Sequence, residues 1–212
     1  MLLIAGLLVF GTQVAPVHAL KFNFTADVEQ CKPLTISFAG SSLDTIPAFL
    51  SMIPVNSTAI SVPLRDPFVV SAGIALTFLP FPAGANFIAS LDDNTGKALI
   101  SVSDLKQVLP SSTNNSSCLS PSVAKRFTIS TTVSQCEGFT INYDTSAVSR
   151  APIVRLYSPT GPSFLLNSTS DNATVGTATY MMNFGRGKEL ILLVEDGSTI
   201  RETSPLMTGS YF

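Results

Sequence analysis

The chain has no tryptophan and one histidine, and only 12% of its 212 residues are charged. Each shortage removes a class of function. Five basic and seven acidic residues fall in 20–121, and seven of each in 123–212, for a net charge of −2. No excess of lysine and arginine is available to neutralise phosphates, so no nucleic-acid partner is expected. The one histidine, His18, falls in an N-terminal stretch that reads as removable. Without it, neither a Ser-His-Asp nor a Cys-His catalytic set can be assembled, nor a His-ligated zinc site. No metal or other cofactor is expected. Low charge does not signal disorder here, because 45% of the residues are hydrophobic and disordered chains are poor in such residues.

Long uninterrupted apolar runs are also lacking. Residues 1–19 end in Val17-His18-Ala19 and are too short to span a bilayer comfortably. They read as a secretory signal peptide cut after Ala19. Residues 67–89 approach the hydropathy of a membrane span, but Pro80 and Pro82 interrupt any helix there. That stretch is expected to form strand, turn and strand, with Pro80–Gly84 as the turn. No membrane span is expected within the chain.

What is present is a repeat. Val28-Glu-Gln-Cys-Lys-Pro-Leu-Thr-Ile-Ser-Phe38 recurs as Val133-Ser-Gln-Cys-Glu-Gly-Phe-Thr-Ile-Asn-Tyr143, 105 positions on. Phe22 answers to Phe127, Lys21 to Arg126, Pro47 to Pro152 and Pro54 to Pro159. Further along, Gly84–Asp93 lies over Gly187–Asp196, now 103 apart, and Val102–Val108 lies over about Glu202–Thr208. A unit of this length exceeds a solenoid repeat and matches a domain with its own core. Apolar residues alternate at Phe22/Phe24, Leu34/Ile36/Phe38 and Ile60/Val62/Leu64, the period of half-buried strands. The expected fold is all-β: two tandem immunoglobulin-like β-sandwich domains, 20–121 and 123–212.

Three cysteines are an odd number for a secreted chain. Cys31 precedes the second strand of the first domain and Cys118 follows its last, so these two are expected to pair. Cys136 repeats Cys31. Its partner, by the repeat, would fall near position 218, beyond Phe212. The expectation is therefore a chain cut short of its second disulfide, or a Cys136 that is a free thiol. Asn-X-Ser/Thr sequons occur at Asn23, Asn56, Asn114, Asn115, Asn167 and Asn172, and mark a glycosylated surface.

The motif Val-x-Gln-Cys-x-x-x-Thr-Ile-x-Phe/Tyr, the run Leu79-Pro-Phe-Pro-Ala-Gly-Ala-Asn-Phe-Ile-Ala-Ser-Leu-Asp-Asp93 and Ser116-Ser-Cys-Leu119 resemble a family of secreted and membrane-anchored tandem-domain proteins of mushroom-forming fungi. Val154-Arg-Leu-Tyr157, Leu190–Asp196 and Thr203-Ser-Pro-Leu206 are similar to the immunoglobulin-like domain of yeast cell-wall β-glucan synthesis proteins. The resemblance implies a place at the cell surface or wall and no particular reaction. It also implies that relatives continue into a Ser-rich stalk and one transmembrane helix.

Three functions are weighed. The first is a non-enzymatic secreted or cell-surface protein with a structural or adhesive role, whose partner is wall polysaccharide or a surface protein. It includes the ectodomain of a single-span protein whose span is missing. The second is a polysaccharide-binding module that stacks sugar rings on exposed aromatics. Tyr143 is expected in the core, which leaves Tyr157, Tyr180 and Tyr211. The third is a glycosidase, which needs two facing carboxylates; Asp92, Asp93 and Asp104 would have to share a pocket. Asp92–Gly96 reads instead as a turn.

Overall fold

The structure, a computed structural model, describes residues 21–39, 47–64, 74–99, 101–119, 121, 123–129, 133–148, 150–197 and 200–209. The leader expected at 1–19 and Tyr211 lie outside them. The first half contributes β1 (Lys21–Phe24), β2 (Pro33–Ala39), β3 (Phe49–Pro54), β4 (Ile60–Pro63), β5 (Ile74–Phe78), β6 (Asn86–Asp92) and β7 (Lys106–Gln107). The second contributes β8 (Phe127–Ile129), β9 (Gly138–Tyr143), β10 (Ile153–Tyr157), β11 (Ser163–Leu165), β12 (Ser168–Asn172), β13 (Thr177–Met181), β14 (Glu189–Glu195), β15 (Arg201–Thr203) and β16 (Met207–Thr208). Among the described residues there is no helix, and every strand pairing is antiparallel. The fold is all-β, as expected.

The strands form four sheets: β1-β2-β5, β4-β3-β6-β7, β11-β10-β14-β15 with β16 also on β14, and β12-β13-β9-β8. Their burial sets the layering. In β9 and β13 buried residues alternate with accessible ones, the mark of a sheet with one wet face. In β3, β6, β10 and β14 nearly every residue is buried. These four strands are therefore covered on both faces, and their sheets are the inner two of four layers.

Three apolar cores follow. Leu34 and Ile36 meet Leu50, Met52, Phe87, Ala89 and Leu91 in the first half. Phe139, Ile141 and Tyr180 meet Val154, Leu156, Leu190 and Leu192 in the second. The third core lies between the halves: Ile53 and Ile88 pack on Tyr157, Ile191 and Leu193. All five of these side chains are at most 1% exposed, and each such burial contributes about 1.5–3 kcal/mol.

Backbone bonds close the seam between the inner sheets along both edges. On one edge Asn56 N–H donates to Ser204 C=O and Thr203 N–H to Ser57 C=O, both at 2.8 Å. On the other, Thr160 N–H donates to Ser103 C=O at 3.1 Å and Val102 N–H to Gly161 C=O at 2.9 Å. Asn56 and Thr160 both have positive φ, 59° and 56°. Ser103 Oγ accepts from Ala89 N–H, and Ser204 Oγ from Leu192 N–H, each at 2.9 Å. Each edge thus repeats the other with the halves exchanged, the arrangement of an isologous contact inside one chain.

Strand register corrects two of the expected alignments. Phe22↔Phe38 and Phe127↔Tyr143 keep the 105 offset. Met52↔Ala89 corresponds to Leu156↔Leu192, so β10 matches β3 at 104, and Pro47 and Pro54 do not align with Pro152 and Pro159. Asn86↔Gln107 corresponds to Glu189↔Thr208, which sets the last segment at 101. Proline identity misled because proline marks turns, and turns absorb the length changes between strands.

Candidate functional site

The expected disulfide is present: Cys31 and Cys118 are joined at 2.03 Å across 87 positions. Gln30 shows why glutamine precedes this cysteine. Its side chain accepts from Ala83 N–H and donates to Asn115 C=O, both at 2.8 Å, pinning the exit segment to the β5–β6 turn. Cys136 is free and exposed. It repeats the left-handed backbone of Cys31, φ 63° against 58°. All six sequon asparagines are exposed. Asn115 and Asn172 head Asx turns, accepting at Oδ1 from Ser117 N–H at 3.0 Å and Thr174 N–H at 3.2 Å.

Two of the three tyrosine candidates are overturned; Tyr211 lies outside the described residues. Tyr157 is 0% exposed and Tyr180 is 1% exposed, so neither can stack a sugar. Tyr157 belongs to the core between the halves. Tyr180 lies against Phe139, with ring centroids 5.8 Å apart, and donates its hydroxyl to Pro152 C=O. The outward placement of Tyr180 rested on Phe78 marking the inward face of β5. Phe78 is in fact 58% exposed, so it marks no inward face. Opposed residues of an antiparallel pair share a face. Tyr180 opposes Phe139, as Thr77 opposes the buried Leu34. Tyr143 is in the core, as expected, and donates to Asp171 at 2.9 Å.

The three acidic candidates are dispersed. Asp104 pairs with Lys106 at 2.9 Å. Asp93 closes the turn: its Oδ1 accepts from Thr95 N–H at 2.8 Å, Thr95 Oγ1 at 2.6 Å and Lys97 N–H at 3.0 Å. These bonds hold its carboxyl below the usual carboxylate range. Asp92 is not part of that turn. It ends β6 and is 1% exposed.

Around Asp92 the structure gathers a polar cluster that the sequence did not disclose. Ser90 Oγ donates to Asp92 Oδ1 at 2.5 Å. The Tyr157 hydroxyl lies 3.4 Å from Asp92 Oδ2 and 3.5 Å from Gly96 C=O. Ser51 Oγ sits 3.1 Å from Ser61 Oγ, and Ser61 accepts from Arg201. Arg201 Nε meets Glu195 at 2.9 Å. Arg155 donates to Thr95 C=O at 2.9 Å and lies along Gly96, whose φ of +75° suits glycine. Burial pushes the Asp92 carboxyl above its ordinary range, against the opposing pull of the Ser51 and Ser90 hydroxyls and the two arginines. Burial and the Asp92 carboxylate push the Tyr157 phenol far up, so it stays a neutral donor.

Phe49, the Asn94–Gly96 turn, Glu195 and Arg201 wall a cleft of about 270 Å³ over this cluster, with Ser51, Ser61 and Asp92 at its lining. A larger cavity of about 550 Å³ near Pro159 and Phe184 is lined by proline and glycine alongside Asp104, Lys188 and Glu189. A third, of about 340 Å³, lies against Asn56 and Lys125.

A second charged network ties the stretch before β8 down. Arg126 meets Asp196 and Glu202, each at 3.0 Å, and donates to Ile200 C=O at 3.1 Å. Its guanidinium stacks over Phe127 at 5.1 Å. In the sequence Arg126 was only the counterpart of Lys21; nothing there signalled its two carboxylate partners, 70 and 76 positions away.

No helix among the described residues is long and apolar enough to cross a membrane. A scan of protein-family models gives no match to the chain, and a search of curated proteins gives none.

Proposed function

We propose that this chain is a non-enzymatic extracellular protein of the fungal cell surface or wall, built from two tandem immunoglobulin-like sandwiches derived by duplication. Its role is that of a stiff structural or adhesive element. The observation that carries the reading is the third core. Tandem domains normally move relative to one another across a polar interface. Here five fully buried side chains and two edges of backbone bonds lock the halves together. Such a block holds whatever it bears at a fixed spacing.

The disulfide supports an oxidising compartment, and the exposed asparagines support a glycosylated surface. The dispersal of Asp92, Asp93 and Asp104 into a buried cluster, a turn and a surface ion pair supports a role without catalysis. Expression in a fungal host with the natural leader tests the reading. The expected result is protein in the medium or wall fraction, lighter after endoglycosidase treatment, and saturable retention on insoluble β-glucan, chitin or intact walls. Intracellular, unglycosylated protein would overturn it.

A further inference from the structure

The polar cleft at one end of the seam is not used by a purely structural role. We propose that it binds one neutral sugar unit, an inference that rests on the extracellular surface reading above and gives it a ligand. The argument runs from charge, chemistry and size.

Two carboxylates, Asp92 and Glu195, and the Arg201 guanidinium line the cleft, and the buried Arg155 guanidinium lies directly beneath its Thr95–Gly96 wall. The balance favours neither an anion nor a cation. Yet the cleft is rich in both donors and acceptors. A guanidinium has five N–H donors and a carboxylate about four acceptor positions. Asp92 is taken up by Ser90 and Tyr157, so the charged groups turned to a ligand are those of Glu195 and Arg201, which meet each other and, for Arg201, Ser61. Serine hydroxyls and the exposed Asn94 amide add groups that act in either sense. A ligand that satisfies such a wall must carry several hydroxyls, each donor and acceptor at once.

Phe49 supplies the apolar wall. A sugar ring has one face of C–H groups that packs on an aromatic ring while its rim of hydroxyls turns to the polar side chains. The volume of about 270 Å³ falls below the roughly 300–1,000 Å³ of pockets for drug-sized ligands. It suits one ring rather than a chain lying along a groove. The walls come from both halves: Phe49 and Asn94 from the first, Glu195 and Arg201 from the second. The seam between the halves is thus what shapes the site.

Isothermal titration of the secreted, folded protein with glucose, N-acetylglucosamine and mannose tests the proposal, with glucosamine and glucuronate as charged comparators. At least one neutral sugar is expected to bind in the millimolar range, and more tightly than its charged analogue. Phe49→Ala is expected to weaken binding at least threefold. Asn94→Ala, at an exposed turn position, is expected to weaken it at least twofold with an unchanged circular-dichroism spectrum. Absence of heat with all three neutral sugars, or binding untouched by Asn94→Ala and Phe49→Ala, would overturn the site. A secreted, wall-associated protein that fails this titration would lose the sugar site alone; an intracellular one would lose the surface reading as well.

Discussion

Replacing Asp92 with asparagine separates the electrostatic cost of the buried cluster from its packing. Asp92 is 1% exposed and its carboxyl is raised chiefly by burial. In the unfolded chain it ionises near 3.8. The folded protein therefore holds the proton to higher pH than the unfolded chain does. Stability must fall as pH rises from about the unfolded value through the raised folded value, because the unfolded state releases its proton first. Each unit of elevation costs about 1.4 kcal/mol once both states are ionised. Asparagine has the same shape and does not titrate. It keeps an oxygen for Ser90 and Tyr157 but exchanges charge-assisted bonds for weaker neutral ones. Its stability relative to the parent at any single pH is thus a difference of opposing effects. The change in that relative stability with pH is not. Between pH 3 and pH 7 the variant should gain on the parent, by about 1.4 kcal/mol for each unit by which folding raises the Asp92 carboxyl. Urea titrations of both proteins at five pH values would measure it. Parallel curves would refute the reasoning, and a variant that loses ground as pH rises would reverse its sign.

Other perturbations read different parts of the structure. Cys31→Ser with Cys118→Ser should cost about 4–5 kcal/mol by loop entropy over the 87 positions closed, measured by urea unfolding against the parent. Ile191→Ala removes a fully buried side chain from the core between the halves and should cost about 2–5 kcal/mol; a cost below 1 kcal/mol in calorimetry would show that this core does not hold the halves together. Arg126→Ala takes the guanidinium away from the buried Glu202 carboxylate and should cost about 3–5 kcal/mol, measured by urea unfolding against the parent. Tyr180→Phe removes one hydroxyl bond to Pro152 and should cost about 0.5–1.5 kcal/mol with no change in retention on wall polysaccharide.

The sequence made the strands legible because their periodicity is local. β2, β9 and β13 face water on one side, so their alternation survives in the text of the chain. The disulfide was legible for the same reason: Cys31 and Cys118 flank the first block of strands. The third core was not read, although its trace is there. Leu190-Ile-Leu-Leu-Val194 is five apolar residues without a break, the mark of a strand buried on both faces, and it was read only as a strand. What covers a second face depends on how the halves pack, and no local pattern encodes that. The Asp92 cluster was hidden for a related reason. An Asp-Asp-Asn-Thr-Gly string has the composition of a turn, and Asp93 fulfils that role. Its neighbour Asp92 is buried because β6 is covered on both faces, which depends on how the halves pack. Tyr180 was misplaced because its face was inferred from Phe78, which is itself exposed.

The paired edges of the seam have one more consequence. Asn56 and Ser204 on one side, and Thr160 and Ser103 on the other, form a contact that is indifferent to whether its two sides belong to one chain or to two. Two molecules that opened at this seam could each offer a half to the other and re-form every bond. The product would be an exchanged dimer with the interior of the monomer. Concentrated protein refolded from urea and examined by light scattering would reveal it as a species of doubled mass. Under the surface role proposed above, the same exchange would cross-link neighbouring chains.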